Sequence, residues 1–127
     1  MITMTRESIL VVDDYVDARH STREALEEHG YRVLEAANGQ EALSLLFRGE
    51  SHAVRLILLD LQMPIMDGWQ LLRALGASDR LHGIPVIIAS AHPAHLETVK
   101  HRSVVGYLQS PYLVPELLTL VDTCLRH

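Results

Sequence analysis

The chain has 127 residues, with Lys+Arg 11 against Asp+Glu 16 for a net charge of −5, and an apolar share of 48 %. At roughly 150 residues per domain this is a single domain, 1–127 with an ordered core over about 7–126, and it is too apolar for disorder. The acidic balance supplies no basic field for direct nucleic-acid binding or for an anionic membrane, and residues 1–8 lack the apolar stretch of a secretory signal.

Two periodicities alternate along the chain. Residues 8–13 (SILVVD) form a nearly unbroken apolar run, as expected of a strand covered on both faces. A helix is predicted from Val16 to His29, with acids and Arg on its wet side and Gly30 as its stop. A second strand follows over 32–36 (RVLEA). Next comes a helix capped by Asn38, carrying Ala42, Leu43, Leu46 and Phe47 and ending at Gly49. Residues 55–60 (RLILLD) make a third strand, and Gly68 to Leu75 repeats Leu at 71, 72 and 75 as a third helix. The fourth strand spans 85–90 (PVIIAS), and Pro93 suits the first turn of a fourth helix. The fifth strand spans 104–108 (VVGYL). Pro115 then opens a fifth helix with Val114, Leu117, Leu118, Val121 and Leu125 on one stripe. Cys124 falls in that apolar pattern and is expected to be an inert buried thiol. Asp60, Gln62 and Asp67 interrupt the longest apolar stretch, short of the ~18 residues of a bilayer span. A cytoplasmic protein without membrane insertion, and without length for a fused DNA-binding or catalytic module, is expected.

Strict strand–helix alternation implies an α/β fold: a five-stranded parallel sheet doubly wound by five helices. Ligands of such sheets collect at the carboxyl ends of the strands, where the strand order reverses. Those ends are Asp13 and Asp14, Asp60, Ser90, and Gln109 with Ser110, which brings three carboxylates and two hydroxyls to one rim. Taken alone, an Asp pair at a strand end fits a solvated turn or a helix cap; the joint arrangement points to function. Three carboxylates so close repel, and without a cation at least one should hold its proton with a raised pKa. Oxygen donors with water access suit a hard dication, Mg²⁺ or Mn²⁺, which would neutralise the cluster and attract a phosphoryl group. An Asp carboxylate can then act as nucleophile, because phosphoryl transfer depends mostly on positioning and charge neutralisation.

The segments ILVVDD at 9–14, DLQMPIMDG at 60–68, ASA at 89–91 and GYLQSP at 106–111 resemble the receiver domain of two-component response regulators. They occur in order, at matching intervals, over almost the whole chain, and the D-x-x-M-P-x-x-D-G stretch is the most specific piece. The resemblance implies the flavodoxin-like strand order 2-1-3-4-5. It implies that Asp60 takes a phosphoryl group from a phosphohistidine, and that Asp13 and Asp14 hold Mg²⁺ with the backbone carbonyl of Gln62 completing the shell. Ser90 matches the hydroxyl that moves to meet the phosphoryl oxygen, and Tyr107 the aromatic ring that turns inward with it. Met63-Pro64 and Asp67-Gly68 match the loop that shapes the site and starts the third helix, and the bond before Pro111 matches one that is commonly cis. The implied partners are a histidine kinase or phosphotransfer protein and a separate effector. The effector would meet a face built from the fourth helix, fifth strand and fifth helix of a monomer or weak dimer with no independent substrate turnover.

One position departs. Family members usually carry Lys before the Pro that follows the fifth strand, and Ser110 stands there. That ammonium would pair with the phosphoryl group, a charged contact worth roughly 1.5–3 kcal/mol. Losing ~2 kcal/mol of bias cuts the active-to-inactive ratio about thirtyfold. Lys100, the only lysine, lies with Arg102 near the opposite pole, so Arg19 is the nearest candidate cation. Either Asp60 is still phosphorylated with weaker coupling, or the module signals by binding alone. The first is favoured because the metal and nucleophile residues are all present.

Smaller features have bland explanations too. Ser90 could cap a strand end and Tyr107 could be an ordinary rim aromatic; the family pattern favours the switch roles. His92 and His95, at helical spacing, read as a solvated face and not a metal site. Gln62 and His92 flank the phosphorylation position, where the family tunes phosphoryl lifetime. Trp69 reads as a packing residue. A flavin-binding protein of this architecture would need a hydroxyl- and glycine-rich loop after the first strand, where the acids at 13, 14 and 17 would repel phosphate. A hydrolase lacks its G-x-S-x-G elbow.

Overall fold

The β1 run SILVV is buried at all five positions, because alternate residues feed two separate cores. Leu10 and Val12 enter one core and Ile9 and Val11 the other, as the two-residue period of a strand requires. The computed structural model describes residues 8–50, 54–61, 63, 66–92 and 103–125. Its strands are β1 (Ser8–Val12), β2 (Arg32–Ala36), β3 (Val54–Asp60), β4 (Val86–Ser90) and β5 (Val104–Gln109). All neighbours pair in parallel, in the order β2-β1-β3-β4-β5.

The helices are α1 (Val16–Glu28), α2 (Gly39–Leu45), α3 (Gly68–Ala77) and α4 (Val114–Leu125), with a π-helical turn over Leu46–Glu50. Among the described residues there are thus four α-helices, not the five expected; the segment from Pro93, where the other was expected, lies outside them. Helices α2 and α3 cover one face of the sheet through Ala42, Leu71, Leu72 and Leu75. Helices α1 and α4 cover the other through Leu26, Leu117 and Val121. Each fully buried Leu, Ile or Val contributes about 1.5–3 kcal/mol, so the doubly covered central strands dominate stability.

Local signals explain the helix boundaries. Gly30, at φ +99°, follows α1 in a conformation other residues rarely adopt. Asn38 accepts from the Glu41 amide at 2.9 Å while Glu41 accepts from the Ala37 amide at 2.9 Å, a reciprocal cap on α2. Two apolar residues of these helices face solvent. Phe47 is exposed, with the Arg80 guanidinium 5.9 Å from its ring centre, because the π turn widens the helix and shifts its phase. Val114 is exposed because it is the first residue of α4 and precedes the stretch that meets the sheet. Cys124 is half-buried, and burial pushes its thiol pKa up. Among the described residues, no helix is long and apolar enough to cross a membrane.

Candidate functional site

The rim at the carboxyl end of the sheet is built from backbone outward. Beyond β1, the Asp13 amide donates to the Ala36 carbonyl at 3.1 Å, which extends the β1–β2 ladder by one residue. Asp13 Oδ1 then accepts from the Tyr15 amide at 3.0 Å, turning the chain into α1. Strand β3 carries Asp60 as its last residue, paired with Ala89 of β4. The loop after Asp60 closes where the Gly68 amide donates to the Leu61 carbonyl at 3.0 Å. A Cβ at position 68 would lie 2.7 Å from Leu61 Cα and 2.8 Å from the Asp60 carbonyl, so only glycine permits this closure. Asp67 caps α3 by accepting from the Gln70 amide while the Gln70 side chain accepts from the Asp67 amide, both at 2.9 Å.

These elements bring one oxygen each of Asp13, Asp14 and Asp60 within 4.8 Å of one another. The pKa of Asp13 is raised, first by burial; the Tyr15 amide opposes that, the charge of Asp14 adds to it, and Arg19 and a side-chain hydrogen bond with Asp60 oppose it. The like-charge repulsion expected from the sequence contributes through Asp14, but burial is the larger cause of the raised pKa. All three side chains line a cavity of about 280 Å³ with Ser110 and Tyr112. Paired oxygen donors, partial burial and an open side fit a hard divalent cation.

Among the described residues, none with a cationic side chain lines the acid pocket beside Ser110. A second cavity of about 380 Å³, between α1 and the start of α4, shares Asp13, Ala18, Ala91, Ser110 and Tyr112 with the acid pocket. Tyr112 is half-buried and its hydroxyl lies 3.2 Å from that of Thr22. Its pKa is raised, chiefly by burial, with Asp13 and Asp60 adding to the effect. Arg19 does not fill the gap: Nη1 donates to the Asp13 carbonyl and Nε to Glu35 Oε1, each at 2.8 Å. Sequence reasoning noticed Arg19 but missed Glu35 and the Thr22–Tyr112 pair. The available signal for Glu35 was one acid in the otherwise apolar VLEA of β2, a residue from the rim.

The switch candidates sit where expected along the chain. Ser90 ends β4 and is 2 % exposed; its Oγ accepts from the His92 amide at 3.1 Å, and its carbonyl from the Ser110 amide at 2.8 Å. Tyr107, opposite Ile88 on the edge strand β5, is 43 % exposed. The Ser110–Pro111 bond is cis. Trp69 packs against the α2–α3 core, as expected. Met63 is buried. Gln62, Pro64, His95, Lys100 and Arg102 lie outside the described residues.

The fold is a doubly wound parallel α/β sheet with three carboxylates at its switch point. Residues 9–122 match the response regulator receiver domain, and the chain belongs to that family, a component of two-component signalling. It is 34 % identical over 120 residues to the probable transcriptional regulator ycf29 of Porphyra purpurea, covering 93 % of this chain and 56 % of that protein. It is 29 % identical over 121 residues to the polar-differentiation response regulator DivK of Brucella anthropi, covering 94 % and 96 %. The solved structure of the Thermotoga maritima response regulator TrrA, in complex with Mg²⁺-BeF, superposes with a TM-score of 0.81 at 28 % identity, covering 94 % of this chain and 99 % of that one. The chain spans about half the length of the curated transcriptional regulators it matches.

Proposed function

We propose that this receiver accepts a phosphoryl group on Asp60 from a phosphohistidine of a histidine kinase or phosphotransfer protein, and that the new charge alters a protein-interaction face. The observation that carries this reading is the meeting of Asp13, Asp14 and Asp60 within 4.8 Å, with Asp13 held above the ordinary carboxyl range. A receiver of the same fold, TrrA, is described in complex with Mg²⁺-BeF, which supports a Mg²⁺ site on this fold. Asp13, Asp14 and Asp60 would hold the Mg²⁺, which when bound neutralises the cluster and makes the approach of a phosphoryl group favourable.

The chain's own groups then do the rest. An Asp60 carboxylate oxygen attacks phosphorus, the P–N bond to the donor imidazole breaks, and the imidazole leaves with that electron pair. No base on this chain is needed, since a carboxylate nucleophile carries no proton to remove. Ser90 carries the His92 amide on its Oγ, so movement of that hydroxyl toward the new phosphoryl oxygen drags the chain that follows β4. Exposure of Tyr107 on the neighbouring strand supports its ring as the group that follows. Phosphorylation shifts a pre-existing equilibrium and makes no new fold. The domain turns over no independent substrate.

Intact mass after incubation with a small phosphodonor tests this. One phosphoryl group is expected on the wild type with Mg²⁺, none with chelator, and none on Asp60→Ala; equal labelling of wild type and variant would refute it. One observation favours a phosphorylation-independent interaction module: Ser110 lines the acid pocket where the family's Lys would stand, and Arg19 is committed elsewhere. That reading predicts no Mg²⁺ binding and a partner affinity unchanged by Asp60→Ala.

A further inference from the structure

Asp13 is restrained through its backbone as much as through its side chain. Its amide is held by the Ala36 carbonyl at 3.1 Å, its carbonyl by Arg19 Nη1 at 2.8 Å, and its Oδ1 by the Tyr15 amide at 3.0 Å. Arg19 is in turn anchored: Nε donates to Glu35 Oε1 at 2.8 Å, and the Arg19 side chain is 13 % exposed. Glu35 is itself fixed by Arg23 on Oε2 and by His20 at 3.4 Å from Oε1, and its backbone pairs with Val11 on β1. A rigid strut therefore runs from β2 through a guanidinium to the first residue of the acid pocket.

We propose that Arg19 is a positioning residue for the metal-binding carboxylates: clamped by Glu35, its guanidinium fixes the Asp13 carbonyl and so the direction in which the Asp13 carboxylate meets the cation. This rests on the reading of the pocket as a Mg²⁺ site. Two donors of one planar fork, Nε and Nη1, serve two acceptors on different elements, a geometry that a single ammonium does not reproduce. Groups that orient metal ligands from behind typically govern 10–100-fold of metal affinity.

Charge and geometry make opposite forecasts for this residue. As a bare positive charge near a cation site, Arg19 weakens binding, and its removal would tighten it; as a strut, its removal loosens Asp13 and weakens binding. Mg²⁺ alone is titrated into the full chain by calorimetry, with Trp69 fluorescence as a parallel readout. Arg19→Gln and Arg19→Lys are compared with wild type below their melting transitions. Both variants are expected to bind Mg²⁺ about tenfold more weakly. Arg19→Lys retains the charge and the aliphatic stem, so it decides the matter even if Arg19→Gln does not melt cooperatively. Tighter or unchanged binding by Arg19→Gln, or wild-type affinity in Arg19→Lys, overturns the proposal. Absence of Mg²⁺ binding by the wild type overturns the underlying metal reading instead, and the two failures are thereby told apart.

Discussion

Glu35 near the end of β2 and Asp13 just beyond β1 both engage Arg19, yet their acidities are driven in opposite directions. Burial is the largest influence on each and acts upward on both. At Glu35 it is overcome by hydrogen bonds from Arg19 and Arg23 and by the charges of Arg23 and His20, so the pKa is lowered. At Asp13 the Tyr15 amide and Arg19 do not overcome burial and the neighbouring Asp14, so the pKa is raised. Burial alone does not set the direction of the shift. The neighbours decide it: Glu35 is satisfied by cationic groups, whereas Asp13 keeps the charge of Asp14 beside it.

The largest test of this contrast removes the satisfied acid. Glu35→Ala leaves Arg19, Arg23 and His20 without their shared acceptor, and a loss of about 2 kcal/mol is expected at pH 7, the scale of hydrogen bonds to a charged group. Because the folded pKa of Glu35 is lowered, its stabilisation is complete above the ordinary value of 4.5 and is lost as pH falls through the folded value. Urea melts at pH 7 and pH 3 check this, and a gap between the two proteins that stays constant would contradict it.

Asp13→Asn should do the reverse and stabilise the metal-free domain by about 1 kcal/mol, roughly 4 °C in Tm. The folded pKa of Asp13 is raised, so the wild type's deficit is full above that folded value. It disappears as pH falls through the folded value toward the ordinary 3.8. Thermal melts should show the gain at pH 7 and its disappearance in acid. Added Mg²⁺ should raise the wild-type Tm and leave the variant's unchanged; a destabilised Asp13→Asn at neutral pH would break the comparison.

The smallest effect is expected at the periphery of the strut. Arg23 is 36 % exposed and shared between Glu27 and Glu35, so Arg23→Gln should cost about 0.5 kcal/mol, fading in high salt. Denaturation in low and high salt measures it, and a salt-independent loss above 2 kcal/mol would place Arg23 in the strut itself.

Much of this was legible before any coordinates. The runs SILVV, RLILLD and PVIIAS announce doubly covered strands because burial on both faces suppresses alternation. Asn38 and Gly30 punctuate helices by local hydrogen bonding and backbone freedom. The spacing from Asp60 to Gly68 marks the loop that shapes the rim, and its closure through the Leu61 carbonyl and the Gly68 amide became visible only in the fold. Less legible were Phe47 and Val114, since amphipathic periodicity assumes an unbroken α-helix that covers the sheet from its first residue.

Sequence by itself therefore determined the order of elements and the identity of the three rim carboxylates, because strand period, helix caps and the strand-end rule act over a few residues. Tertiary structure alone decided which acid is at ease and which is strained. Glu35 and Arg19 are 16 positions apart, and Thr22 and Tyr112 are 90 apart. Solvent exclusion and charge at such contacts depend on what folding packs around them, which no local pattern records.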